Sequence, residues 1–238
     1  MADQVFEEAR RKARVGMTSE SDLAILSPPI SPQIWQAHFQ SPPLRLGVMA
    51  SGTGSNFSAI AQAIDEDRLN AQIQVVVYNN PNAGVMQRAA QRNIATCLLN
   101  HRDFETRESL DQAIVDTLRH HQVDWIIMAG WMRCVTNVLI DAYRDRVINI
   151  HPSLLPSFPG IRAVEQALAA GVAIAGCTVH HVVLEVDSGP IVMQAAVPIF
   201  PDDTSESLHQ RIHHQEHKIY PVAIALASGK AALAGKEI

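Results

Sequence analysis

Asn149 and His151 stand two residues apart at the end of an apolar run, in Asn149-Ile150-His151-Pro152-Ser153-Leu154-Leu155-Pro156. At the C-terminal end of a strand, that spacing puts a carboxamide and an imidazole on one face. The amide can donate to an oxygen that gains negative charge, and the imidazole can donate too or handle a proton. The pair therefore suits chemistry at a carbonyl carbon. Read alone, the segment equally fits a structural histidine in a loop fixed by prolines. Asp187, in Glu185-Val186-Asp187-Ser188-Gly189-Pro190, offers a carboxylate to polarise His151 or relay protons through water. An aspartate before Ser-Gly also serves commonly as a turn residue bonded to its own loop. Asp187 and His151 are 36 positions apart, so spacing alone does not choose.

A second feature is the turn Gly52-Thr53-Gly54-Ser55-Asn56. Glycines let backbone N–H groups approach an anion, and a helix N-terminus favours negative charge. The turn lacks the GK[ST] ending of a nucleoside-triphosphate loop and does not match GxGxxG. A phosphate cradle and a tight turn with an N-cap serine both fit it. His209, His213 and His217 recur every four residues on one helix face, a spacing that can bind metal. No carboxylate or cysteine partner is identifiable from the sequence, so a solvated polar face is expected.

These residues need a scaffold. Leu44–Ala50 reads as a buried strand, and Phe57, Ile60, Ala61 and Ile64 then form one helix face. Strands at Ile73–Tyr78, Ala95–Leu99, Val123–Met128 and Val147–Ile150 alternate with helices at Val85–Gln91 and Arg107–His120. That alternation implies an α/β fold with a mostly parallel sheet and helices on both faces. Cys177–Leu184 and Ile191–Ile199 are joined by a short connection, which predicts an antiparallel hairpin at the sheet edge. A long helix follows, with Asp203 and Glu206 at capping-box spacing and Pro221 placed to kink or end it.

Residues 1–43 differ. Glu7–Arg14 reads as a short charged helix, and five prolines follow. Proline removes backbone donors, so this extension is expected to be irregular or loosely docked. The competing reading is an arm packed through Ile25, Leu26, Ile34, Trp35 and Phe39.

Composition sets the remaining bounds. With 238 residues, 47% of them hydrophobic, the chain can bury a sizeable core. A net charge of −5 gives no domain-wide basic excess, so nucleic acid is not an expected partner. Cys97, Cys134 and Cys177 are an odd count without a CxxC, which points to reduced thiols and gives a structural zinc site little support. No apolar run suggests a signal core or a membrane span. The protein is expected to be soluble and cytoplasmic.

From Leu44 to Ala227 the chain resembles the phosphoribosylglycinamide formyltransferase family, the folate-dependent glycinamide ribonucleotide transformylases. The matching pieces are ASGTGSN, NNPNAG, MAGWMR, INIHPSLLPSFPG, GCTVH, EVDSGPIVMQ and QEHKIYP, in that order. The resemblance implies a Rossmann-like twisted sheet of about seven strands over residues 44–227, followed by a tail at 228–238. It implies transfer of a formyl group from 10-formyltetrahydrofolate to glycinamide ribonucleotide, in purine synthesis, by a monomer or homodimer that needs no metal. Asn149, His151 and Asp187 would be the catalytic trio. Gly52, Thr53, Gly54, Ser55 and Asn56 would hold the ribonucleotide phosphate, and Glu216 its ribose. Met132, Arg133, Val135, Ile150 and the loop from Val182 to Asp187 would line the folate pocket, with Arg107 near the glutamate tail.

The chain departs from the family pattern in places. Arg162 stands where many members have a histidine that supports the aspartate, and His213 where some have glutamine. The alternative activity is formyltetrahydrofolate hydrolysis, in which water replaces the amine. Such hydrolases normally carry an N-terminal regulatory domain larger than residues 1–43 and lack the SGTGSN turn. A methionyl-tRNA formyltransferase would need a further C-terminal domain. A nucleotide-binding oxidoreductase built on the glycine turn would leave INIHPSLLP unexplained.

Overall fold

The computed structural model describes residues 24–28 and 32–234. In chain order the elements are β1 (Ile25–Ser27), α1 (Pro32–Gln40), β2 (Leu44–Ala50), α2 (Ser55–Asp65), β3 (Ala71–Tyr78), α3 (Val85–Ala90), β4 (Ala95–Leu98), a 3-10 turn at His101–Asp103, α4 (Arg107–His120), β5 (Trp125–Met128), α5 (Asn137–Ala142), β6 (Val147–His151), α6 (Ala163–Ala169), β7 (Ile174–His181), β8 (Ile191–Pro198) and α7 (Ser205–Ala234). The strands form one sheet in the order β1-β8-β7-β6-β5-β2-β3-β4. From β6 through β4 all pairs are parallel, while β6–β7, β7–β8 and β8–β1 are antiparallel.

Side chains alternate across the sheet, and both faces are covered. Leu46, Val48 and Ala50 of β2 join a core that includes Phe57 and Ile60 of α2 and Ile212, Ile219 and Tyr220 of α7. Met49 of the same strand faces the other way, onto Leu110, Ile114 and Leu118 of α4 and Leu139 of α5.

The seven strands expected over residues 44–227 are β2 to β8, and the sheet gains an eighth, β1, from the extension. Three expectations need correction, the first being that the extension is irregular or loosely docked. There β1 pairs with β8, and α1 packs against the C-terminal part of α7. His38 is buried; its Nδ1 lies 2.9 Å from Ser228 Oγ, and Asn70 N–H donates to its Nε2 at 3.0 Å. A Cβ on Gly229 would stand 2.5 Å from the Ile34 carbonyl oxygen, so the two helices approach as only glycine permits. The described part of the extension is therefore ordered and docked, although Ile25, Leu26 and Phe39 stay exposed. The charged helix expected at Glu7–Arg14 lies outside the described residues.

Second, Pro221 does not end α7, and residues 228–234, expected as a tail, continue the helix to Ala234. Losing one helical bond and accommodating the ring costs ~3 kcal/mol or more. Burial of Tyr220, Ala223, Ile224 and Leu226 on either side opposes that cost. Third, Thr204 and Ser207, not Asp203 and Glu206, exchange the capping bonds at the start of α7. Asp203 is committed to Arg211 at 2.7 and 2.8 Å, and that pairing holds its carboxyl down at about 2.

Candidate active site

The C-terminal ends of β2, β5 and β6 open onto a cleft of about 570 Å³. From β2 the chain turns to β3 on one side, while β5 and β6 lie on the other. Open α/β sheets bind ligands at such a switch point. The cleft wall includes Gly52 to Asn56, Met132, Arg133, Val135, Asn149, Ile150, His151, Val182, Asp187 and Glu216. Arg107 is not brought there; it is exposed at the start of α4, behind the capping residue Thr106.

Asn149 and His151 end β6 on one face, and Asp187 comes to them from the β7–β8 connection. His151 Nδ1 lies 3.3 Å from Asp187 Oδ2, with both side chains at least nine-tenths buried. His151 Nε2 lies 2.9 Å from the Phe158 carbonyl oxygen. A carbonyl only accepts, so Nε2 carries hydrogen. Nδ1 is then the ring position that can hold a mobile proton between Asp187 and an oxygen in the cleft. Burial pushes the Asp187 carboxyl up, but the neighbouring His180 imidazole, the Gly160 N–H at 2.8 Å and His151 outweigh it. The net effect holds Asp187 below the ordinary carboxylate range.

His180 takes part in this geometry, and sequence reasoning assigned it no role. Its Nδ1 lies 2.9 Å from the His181 carbonyl oxygen and so carries hydrogen; neutral His180 then presents a bare Nε2 to Asn149, whereas charged His180 presents Nε2–H to Asp187. Asn149 Nδ2 donates to that nitrogen at 3.2 Å. One amide hydrogen is thereby fixed, and the second remains for a ligand. Asp187 Oδ1 lies 3.6 Å from the same Nε2. The available signal was the register, because Asn149 pairs with His180 across β6 and β7.

The proline-rich loop is pinned from beneath. Thr178 Oγ1 donates to Ser153 O at 2.7 Å and accepts from Leu155 N and Gln194 Nε2 at 3.1 and 2.9 Å, which uses its full capacity. Phe158, Arg162 and Asp187 have φ of 56, 58 and 55°, unusual for non-glycine residues and costing of order 1–3 kcal/mol each. Phe158 and Arg162 mark the proline-rich loop, and Asp187 the β7–β8 connection, as held against local preference. Arg162 lines the cleft, yet it is the Gly160 N–H that bonds Asp187.

At the other end of the cleft, Gly54 has φ 79°, and a Cβ there would stand 2.7 Å from Val85 Cβ. No side chain caps the start of α2, which leaves its first N–H groups for a ligand. Arg88 braces the turn from behind, donating to Thr53 O at 2.8 Å and Ser58 Oγ at 3.2 Å. Asn56 Nδ2 donates to Glu216 Oε2 at 2.9 Å, and burial raises the Glu216 carboxyl. His213 Nε2 lies 2.7 Å from Ser55 Oγ. The histidine stripe is only in part a solvated face: His209 is exposed, His213 is half-buried in the cleft wall, and His217 Nε2 is buried. Among the described residues, no three His, Cys, Asp or Glu are grouped to hold a metal ion.

Known proteins resemble this chain over most of its length. A family model described as formyl transferase matches residues 44–224. The chain is 45% identical over 180 residues to phosphoribosylglycinamide formyltransferase of Bacillus subtilis, covering 76% of this chain and 92% of that one. It is 42% identical over 196 residues to the trifunctional purine biosynthetic protein adenosine-3 of Drosophila melanogaster, covering 82% of this chain but 14% of that much longer protein. Glycinamide ribonucleotide transformylase 1 from Symbiobacterium toebii superposes with a TM-score of 0.78 at 41% identity, covering 80% of this chain and 90% of that one.

Proposed function

The chain belongs to the formyl transferase family, and on that footing we propose that it is a phosphoribosylglycinamide formyltransferase: it moves the formyl group of 10-formyltetrahydrofolate onto the amine of glycinamide ribonucleotide, in purine biosynthesis. The observation that carries this reading is one cleft with Asn149, His151 and Asp187 at one end and an uncapped glycine turn at the other.

The ribonucleotide phosphate sits on Gly52–Asn56, and Glu216 takes its ribose. The folate lies along Met132, Arg133, Val135, Ile150 and Val182. Its glutamate tail points outward, toward the side of Arg107. The uncharged amine attacks the formyl carbon, and a C–N bond forms as the carbonyl oxygen gains charge. Asn149 donates its free amide hydrogen to that oxygen, and His151 donates from Nδ1. Asp187, through a water, takes the proton from the amine and passes it on. The C–N10 bond then breaks, and N10 leaves protonated as tetrahydrofolate. Holding two substrates in register supplies up to ~7–11 kcal/mol of the barrier reduction. These steps need no metal. The enzyme acts on small molecules as a monomer or homodimer. The free thiols of Cys97, Cys134 and Cys177 suit a reducing cytoplasm, where we place it.

The test measures tetrahydrofolate release from 10-formyltetrahydrofolate with and without glycinamide ribonucleotide. Release that depends on the ribonucleotide is expected. Equal release in both would make the protein a hydrolase, and none in either would overturn formyl chemistry.

A further inference from the structure

His213 stands in the cleft wall beside the glycine turn, and the transfer steps make no use of it. Its Nε2 lies 2.7 Å from the hydroxyl of Ser55, the first residue of α2. That hydroxyl does not cap its own helix; it turns to the histidine instead. On α7 the imidazole meets the Glu216 carboxylate at 3.9 Å and the rings of His209 and His217, with centroids 5.7 and 4.2 Å away. Ser55 and Asn56 pack directly against α7, with Arg88 behind the turn. Asn56 is only 7% exposed, and its Oδ1 has no hydrogen-bond partner.

We propose that His213 makes ribonucleotide binding proton-linked: a phosphate dianion at the turn draws a proton onto the imidazole, which then donates through the Ser55 hydroxyl to a phosphate oxygen. The inference rests on assigning Gly52–Asn56 to the ribonucleotide phosphate.

The geometry suits a relay. A serine hydroxyl has one hydrogen to give and two lone pairs to receive. It can accept from His213 Nε2–H while donating to the ligand. In the empty cleft, partial burial holds His213 below its ordinary value, and its neighbour His217 is held down at about 4 by the same cause. Both are therefore neutral near neutral pH, and His217 adds no opposing positive charge. An arriving dianion favours the charged imidazole, and Glu216 acts in the same direction whenever it is ionised. A glutamine at this position could bond Ser55 but could not take up charge. This chain thereby gains a pH-dependent grip on phosphate that a neutral side chain cannot provide.

The probe is ribose 5-phosphate, which carries the phosphate but no amine. Binding is followed by calorimetry between pH 7.5 and 9, in two buffers of different ionisation enthalpy. That range lies above the phosphate's own second ionisation at about pH 6. The wild type is expected to take up part of a proton per ligand bound. Its association constant should fall with rising pH, by at most about tenfold per unit. His213→Gln should bind without proton uptake and with a flat pH profile, and Ser55→Ala should take up less than the wild type. Tetrahydrofolate should bind all three proteins equally, which checks that they are folded. Uptake that persists in His213→Gln would place the proton on another group, Glu216 first, and overturn the inference. Absence of uptake in the wild type, or unchanged uptake in Ser55→Ala, would overturn it too. Failure of the wild type to bind ribose 5-phosphate while binding tetrahydrofolate would remove the phosphate assignment itself.

Discussion

His151 Nδ1 and Asp187 Oδ2 lie 3.3 Å apart across two separate segments of chain. Two restraints produce that meeting. Thr178 and Gln194 hold the proline-rich loop so that the Phe158 carbonyl reaches the far nitrogen of His151 and the Gly160 N–H reaches Asp187. Gly189 lets the β7–β8 connection fold tightly, because a Cβ there would collide with the His181 carbonyl oxygen. The imidazole is thus fixed from one side and the carboxylate from the other.

If these groups act on charge that develops during transfer, removing them should affect turnover more than binding. Asn149→Ala is expected to lower single-turnover formyl transfer by ~10²–10³. For Asp187→Ala the expected loss is ~10²–10⁴. The double variant should be less impaired than the product of the two defects, since both groups serve one intermediate. The measurement is made at saturating ligands with folding checked separately. Near-wild-type turnover in folded Asp187→Ala would leave that residue a turn aspartate.

In its charged form His180 donates from Nε2 toward Asp187 and helps hold that carboxyl below its usual range, against the effect of burial. A carboxylate with a depressed folded value contributes stability above its unfolded value, and that contribution is lost as pH falls through the folded one. Replacing His180 with phenylalanine should raise the Asp187 value, so its protonation and the acid loss of activity begin at higher pH. Carbon-13 NMR titration of labelled aspartate, alongside a pH–rate profile, reads this directly. An unmoved Asp187 titration would show that Gly160 and His151 suffice.

Gly54→Val should weaken ribonucleotide binding more than folate binding. The residue needs φ 79°, and any Cβ meets Val85. The turn must shift, and the N–H groups it presents shift with it. Separate titrations of the two ligands decide the matter. Equal losses in a folded protein would remove the turn from phosphate recognition.

Much of the scaffold was legible because long elements carry a clear period. β2 at Leu44–Ala50 and α4 at Arg107–His120 follow the apolar pattern residue by residue. Short helices give fewer than two turns of signal and were read unevenly: six-residue α3 was read, while α5 and α6, of six and seven residues, were not. Asn149 and His151 were legible as an i, i+2 pair on a strand. His180 was not, because cross-strand register brings it to Asn149 and no local pattern encodes that register. Proline content argued for an irregular extension. It could not reveal that β8 offers a free edge, or that Gly229 makes room for Ile34.

That docked extension leads to a prediction about stability rather than chemistry. Deleting residues 1–43 removes α1 from α7 and β1 from β8, uncovering the α7 surface around Ser228 and Gly229. A lower Tm is expected, with turnover per folded molecule unchanged. The truncation should also alter the response to acid. His38 accepts a hydrogen bond from the Asn70 N–H, and burial holds its imidazole down at about 4. The fold therefore keeps it neutral, while the unfolded chain protonates it near its ordinary value. Between pH 6.5 and 4 the unfolded state binds more protons, so stability falls as pH falls through that window. From this group alone the loss at pH 5 amounts to about 2 kcal/mol. His217 titrates in the same range but is present in both proteins, so the difference between them isolates the extension. Urea denaturation at pH 7 and pH 5 makes the comparison. Equal acid sensitivity in the two proteins would contradict a buried, neutral His38, and a folded but inactive truncation would assign the extension to the active site.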